Sequence, residues 1–226
     1  MENKNIVYFS KQSFQDGKIT LETLRLSKER AQDLGIKRVL IPSSSGGTAS
    51  AAVDVFEGSG LEVIVVSDRA GVKFGRDEYR SYGKRLLPSG EVEELLGAIG
   101  LDEEEEHESG LNWNPDLKAK LLESGLKIVI ASEPFRAMIR SRVDPTFVVA
   151  ETLSLFGKGV KVAAEVALAA CDAGFVDSSE EVIALGGFTK GVDTALVLKA
   201  CHRDEMFAGV AKGLQIREII CKPRLG

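Results

Sequence analysis

Residues 38–66 read RVLIPSSSGGTASAAVDVFEGSGLEVIVV. An apolar run, Val39-Leu40-Ile41, enters a turn of serines and glycines. The turn opens a helix of small residues from about Thr48 to Phe56, and a second apolar run, Leu61 to Val66, follows. Strand, helix and strand in so short a span make a βαβ unit, with parallel strands and a right-handed crossover. The second run is apolar at nearly every position, as in a sheet covered on both faces.

The turn inside this unit suits an anion. Gly46 and Gly47 let backbone N–H groups approach without a Cβ in the way, and Ser43, Ser44, Ser45 and Thr48 add hydroxyl donors. The free N–H groups of the new helix point to the same place. The turn is not a Walker A loop, since no lysine follows Gly47, and it is not Gly-x-Gly-x-x-Gly. An ordinary strand-to-helix turn with a Ser or Thr N-cap is the plain alternative. One cap needs one hydroxyl, however, and this turn carries four.

Strand and helix patterns alternate on both sides of the unit. Ile6 to Phe9 is a short apolar run, followed by a polar loop over 10–18. A helix starts near Thr20, with Leu21, Leu24, Ala31 and Leu34 at helical spacing and Gly35 as its stop. Lys127 to Ile130 reads as a strand, and Pro145 to Phe156 and Val160 to Ala173 read as helices. Val182 to Leu185 and Thr194 to Leu198 are strands separated by only eight residues. That is too short for a crossover helix, so the spacing predicts an antiparallel pair. Ile216 to Cys221 is a last strand. Residues 75–125 read as an irregular insertion, with helical pieces near 77–87 and 91–99. No linker divides the chain. The expectation is one α/β domain over 1–226, with a mostly parallel sheet.

Composition narrows the function classes. The chain has 226 residues, 44% hydrophobic and 28% charged, ordinary for a globular protein with a sizeable core. No apolar run approaches the ~20 residues that span a bilayer. The opening residues run straight into a strand pattern without a leader signal, so a cytoplasmic location is expected. Cys171, Cys201 and Cys221 are odd in number and far apart, which argues against a disulfide framework or a Cys-x-x-Cys metal site. His107 and His202 are too few for a histidine-rich centre, so no metal is expected. Six acidic residues lie within 102–108, and without them the net charge of -5 would become +1. Such a block marks a solvated loop and lacks the alternation of a calcium loop. No basic nucleic-acid surface is visible.

A second unusual stretch is the connection Gly186-Gly187-Phe188-Thr189-Lys190-Gly191-Val192-Asp193-Thr194. A glycine-rich hairpin whose lysine faces water is the plain reading. The functional reading makes Lys190 and the nearby amides a second anion grip. Open α/β sheets bind ligands outside the carboxyl ends of their strands, and both this loop and the Ser/Gly turn leave such an end.

Several runs together resemble a known family. TLETLRLSKERAQDLGIK at 20–37 followed by IPSSSGGTA at 41–49 resembles the opening of the pyruvate kinase C-terminal α/β domain. The likeness is closer to the stand-alone, archaeal-type pyruvate kinase C-terminal domain-like proteins. KVAAEVALAACDAG at 161–174, IALGG at 183–187 with GVDTA at 191–195, and EIICKPR at 218–224 are similar to the same group. The likeness covers nearly the whole chain except about 75–125.

The resemblance implies a three-layer α/β/α fold and a flavin mononucleotide (FMN) site on the rim. It puts the phosphate on Ser43, Ser44, Ser45, Gly46, Gly47 and Thr48. It puts the ring against Gly186, Gly187, Phe188, Thr189, Lys190, Gly191, Asp193 and Thr194, and against Ser10 and Lys11 after the first strand. Glu165 and Asp172, in the matching helical run, would bond ribityl or ring atoms; helix-face carboxylates are the equal alternative. The chain departs from the family at Ser67-Asp68-Arg69-Ala70-Gly71, where relatives carry a histidine, and at 132–140, which is bulkier and more basic. The large catalytic barrel of pyruvate kinase has no room here, so that activity is not expected. No catalytic set is named by the residues. The functional expectation is an α/β protein that binds a phosphorylated small ligand, FMN foremost, with FMN-dependent oxidoreductase activity left open. The alternative is a non-catalytic sensor of a sugar phosphate or similar metabolite. A symmetric homo-oligomer is the base-rate expectation.

Overall fold

The computed structural model describes residues 5–68, 73–74, 107–108, 114–132, 134–135 and 145–224. In chain order the strands are β1 (Val7–Phe9), β2 (Arg38–Pro42), β3 (Glu62–Asp68), β4 (Lys73–Phe74), β5 (His107–Glu108), β6 (Lys127–Ala131), β7 (Glu181–Gly186), β8 (Thr194–Lys199) and β9 (Gln215–Pro223). The helices are α1 (Lys18–Leu34), α2 (Gly47–Phe56), α3 (Pro115–Glu123), α4 (Pro145–Ser154), α5 (Lys158–Asp172) and the short α6 (Gly209–Lys212). Seven strands form one sheet in the order β1-β9-β8-β7-β2-β3-β6, while β4 and β5 pair with each other. Every neighbour in the large sheet is parallel except β8, which runs against both β7 and β9. The antiparallel pair expected from the short connection is therefore present.

Alternation along the strands builds two cores. Val39 and Ile41, Val63 and Val65, and Ile183 and Leu185 meet Leu24 and Ala31 of α1, Ala49 and Phe56 of α2, and Leu121 of α3. Leu40, Ile64, Val182 and Ala184, on the opposite face, meet Val160, Ala163, Ala167 and Ala170 of α5. Side chains of successive strand residues point to opposite faces, so helices cover the sheet on both sides. This is the three-layer α/β/α architecture. Twelve of the fifteen residues of α5 are buried. A helix apolar nearly all round must be covered all round: the sheet lies on one side, and Ala150 of α4 meets Leu168 on another.

Local signals set the ends of the elements. Gly35 (φ +67°) donates to Gln32 O, and Ile36 donates to Ala31 O, a Schellman closure of α1 that favours glycine. Helix α3 lies inside the stretch read from sequence as an irregular insertion. Its start signals are present: Asn114 Oδ1 accepts from Leu117 N at 2.9 Å, and Pro115 occupies the first turn. The helical pieces expected near 77–87 and 91–99, and most of the acidic block, lie outside the described residues. Among the described residues no helix is long and apolar enough to cross a membrane.

The topology gathers loops on one rim. The carboxyl ends of β1, β9, β7, β2, β3 and β6 share that rim with the amino end of β8. Leu40 pairs with Ala184, which places Pro42 level with Gly186 on the adjacent strand. The start of α5 is there too, since a Cβ built on Gly186 would lie 2.0 Å from Gly159 O.

Candidate functional site at the carboxyl rim

At the end of β2 the chain extends its ladder by one step, Ser43 N donating to Val66 O at 3.0 Å. Ser43 is buried, and its Oγ accepts from Ala49 N at 3.2 Å. Ser43 thus caps α2 from outside the N-cap position, which Gly46 holds at φ +92°. Gly46 O accepts both Ser50 N and Ser50 Oγ, at 2.8 and 2.9 Å. The plain cap reading accounts for one hydroxyl of the four. Ser44 and Ser45 are exposed and Thr48 is half-buried. Among the described residues, the N–H groups of Gly47 and Thr48 have no acceptor. Two helix-start amides without acceptors among the described residues thus lie beside the exposed Ser44 and Ser45 and the half-buried Thr48.

The glycine loop after β7 is different. A Cβ on Gly187 would lie 2.3 Å from Gly191 O, and one on Gly191 (φ +75°) would lie 2.2 Å from Thr20 Oγ1. Close backbone approach explains these glycines. Asp193 is buried, and its Oδ2 accepts from Ser13 N at 3.1 Å and from Ser13 Oγ at 3.3 Å. Its Oδ1 accepts from Thr194 Oγ1 at 3.0 Å. Burial pushes the Asp193 carboxyl above its ordinary pKa, against the pull of those donors. Ser13 Oγ lies 2.7 Å from Lys190 O, Val192 N donates to Thr20 Oγ1 at 3.2 Å, and the Phe14 and Phe188 rings meet in a T-shaped arrangement with centroids 6.0 Å apart. Gly186, Gly187, Phe188, Asp193 and Thr194 are buried, Thr189 and Gly191 are half-buried, and Lys190 is exposed. Thr189 adopts φ +60°, an unusual conformation for a β-branched residue.

Ser10 and Lys11 are exposed at the end of β1, the sheet's edge strand, three places from β7. Ser13, Phe14 and Thr20 contact the glycine loop, and sequence reasoning did not single out any of them. Their partners lie more than 170 positions away, so no local pattern marks them. Glu165 is buried in α5; its Oε1 accepts from Phe135 N at 3.1 Å, and its Oε2 is ion-paired with Lys161. Both oxygens hold protein partners and tie the segment after β6 to the helix. Asp172 sits at the far end of α5, away from the rim, where it bonds Arg203 N at 3.0 Å.

That far end offers no obvious nucleophile. Cys171 Sγ lies 3.8 Å from His202 Nδ1, but the same nitrogen faces Asp172 Oδ1 at 3.4 Å. A relay needs the base and its orienting acid on different ring nitrogens. Burial also pushes the Cys171 thiol up to about 12, which keeps it protonated at neutral pH.

The donors of the Ser/Gly turn fit a phosphate: hydroxyls, amides at a helix start, and no carboxylate among residues 43–48. Among the described residues, Gln12 Oε1, beside the Ser13 anchor, is a buried oxygen without a hydrogen-bond partner. No family model matches the chain.

Proposed function

We propose that this protein binds a phosphorylated small ligand on the carboxyl rim, with the phosphate at Ser44–Thr48, and that the ligand is FMN. The observation carrying the proposal is the Ser/Gly turn, whose Gly47 and Thr48 amides have no acceptor among the described residues and stand next to the exposed Ser44 and Ser45. Its position level with the end of β7, at the carboxyl ends of adjacent parallel strands, supports the same reading. FMN in particular rests on the resemblance to the stand-alone pyruvate kinase C-terminal domain-like proteins. Bound FMN would supply electron transfer, while the chain supplies binding and orientation.

A second reading is a sensor for a sugar phosphate. What favours it is the engagement of the rim's acids. Among the described residues Asp193 and Glu165 are the buried carboxylates, and both hold protein donors. The turn alone would hold any phosphate monoester.

One titration separates the two. Purified protein is titrated with FMN, followed by quenching of flavin fluorescence, and with glucose 6-phosphate, followed by melting temperature. Saturable FMN binding, weakened by about 1–3 kcal/mol in a Ser44→Ala, Thr48→Ala double variant, is the expected result. Stabilisation by the sugar phosphate with no FMN binding would replace the first reading by the second.

A further inference from the structure

We propose that a second copy of this chain docks on the α5 side of the sheet at its β9–β1 end, beside Leu155 and Phe156. The inference stands apart from the phosphate reading and needs no ligand.

The two faces of these strands differ in cover. On the α1 side, Val7 and Phe9 of β1 and Ile220 and Cys221 of β9 pack into the first core. On the α5 side, the buried core draws on β2, β3, β6, β7 and β8. Among the described residues, β9 adds only the half-buried Ile219 to it and β1 adds none. Tyr8 lies between Val7 and Phe9, so its side chain points to this second face, where it is 53% exposed. Ile216 is opposite Leu198, a member of the α5-side core, and shares that face, yet it is exposed.

Helix α4 continues the surface. Lys222, level with Tyr8, donates to Phe156 O at 2.6 Å, which brings the chain just past α4 against the edge strands. Val149, Ala150 and Leu153 pack in a cluster with Leu168 of α5. Leu155 N still bonds Glu151 O, so helical spacing holds through it. Val148 and Leu155, seven apart, therefore fall on one stripe, and they are 60% and 84% exposed.

Size and charge point to the occupant. The exposed parts of Tyr8, Val148, Leu155, Phe156 and Ile216 amount to roughly 600 Å², the upper end of what a monomer leaves in one apolar patch. A standard interface takes about 800 Å² from each partner, of which only about 57%, or roughly 450 Å², is apolar. The charged groups set among these residues are matched inside the chain: Glu151 pairs with Lys158, and Lys222 holds Phe156 O. A surface without one dominant sign does not repel its own copy, and in a two-fold pair one patch covers both faces. Strand β1 ends the sheet, and residues 5–9 carry no charge and no proline that would keep another chain away.

The test is sedimentation velocity on wild type, Leu155→Glu, Leu155→Ala and a control, Leu122→Glu, with circular dichroism of each. The control changes an exposed leucine of α3, which packs on the α1 side. Protein is run from about 1 to 100 μM, where a dimer of micromolar Kd dissociates on dilution. Wild type is expected to sediment with twice the mass of the chain. Leu155→Glu should raise the dimer Kd at least about tenfold with an unchanged circular dichroism spectrum, since the interface would bury a charge on each copy. Leu155→Ala should raise it less, and Leu122→Glu should match wild type. A wild-type monomer across the whole range would overturn the proposal. So would a dimer that Leu155→Glu leaves intact, or one that Leu122→Glu weakens equally. If the glutamate at 155 prevents folding, Leu155→Ala decides, and an unchanged dimer Kd in that variant overturns the interface.

Discussion

A Cβ added to Gly47, after β2, would meet nothing nearer than Ser45 Oγ at 3.9 Å. A Cβ added to Gly186, at the end of the neighbouring β7, would lie 2.0 Å from Gly159 O and 2.8 Å from Ala163 N. Both loops are rich in glycine and hydroxyls, and both leave the same rim. Around Gly47 the chain stands open, with exposed serines and amides that have no acceptor among the described residues. Around Gly186 the chain is closed, because β7, β8, α1 and α5 meet there. Glycine content alone does not distinguish a loop that makes room for a ligand from one that makes room for its own fold. The neighbours of the missing Cβ do.

The largest test of this contrast is Gly186→Ala. Its methyl would press on backbone atoms of α5, which cannot turn aside as a side chain could. The expected loss is more than ~3 kcal/mol in urea unfolding, or no folded protein. Gly47→Ala should cost no more than ~1 kcal/mol, since the space is free. A Gly186→Ala protein as stable as wild type would end the packing account of this loop.

Asp193→Ala ranks next. It leaves Ser13 N–H and the Thr194 hydroxyl without their acceptor, while the Ser13 hydroxyl keeps Lys190 O, and the expected loss is ~2–3 kcal/mol. The same residue gives the loop a pH signature. Burial raises its pKa in the folded protein above the ordinary value of about 3.9, so the fold holds that proton more tightly than the unfolded chain. Its contribution is fully present below the unfolded value and is lost as pH rises through the folded one. The stability of wild type minus that of Asp193→Asn should therefore fall with rising pH above about pH 4 and then level off. Urea unfolding of both proteins across that range measures it, and a flat difference would show that the three donors fully offset burial.

These residues also mark how far the sequence could be read. Alternating strand and helix patterns made the α/β class legible, and eight connecting residues made β8 antiparallel. Strand order was less accessible: nothing near Val7 announces that it pairs with Cys221 at the far end of the chain. Helix α3 was overlooked although Asn114-Pro115 is a recognisable start, because glycine, proline and acidic residues around it masked a short apolar face. At the site, the Ser/Gly turn was legible because its donors are consecutive. Ser13, Phe14 and Thr20 were not, since each owes its role to partners brought in by topology. Ser43 looked equivalent to Ser44 and Ser45, and only the fold shows it turned inward as the cap of α2.

Smaller effects belong to the open turn. Gly46→Ala forces a side chain into the left-handed region, for an expected cost of ~1–2 kcal/mol.

The smallest stability effect carries the most information about function. Ser44→Ala with Thr48→Ala removes hydroxyls that make no hydrogen bond among the described residues, unlike Ser43, so unfolding should move by less than ~0.5 kcal/mol. Ser43→Ala, which removes the acceptor for Ala49 N, should instead cost ~1 kcal/mol. If the turn is a phosphate seat, phosphate affinity falls in the Ser44/Thr48 pair while stability does not, the reverse of the pattern expected at Gly186. Residues kept only for folding would give parallel losses in both, because affinity would then fall through the folded population. A Ser44/Thr48 pair that loses stability as readily as Ser43→Ala would mean these hydroxyls serve the turn itself, and the distinction between the open and the closed loop would disappear.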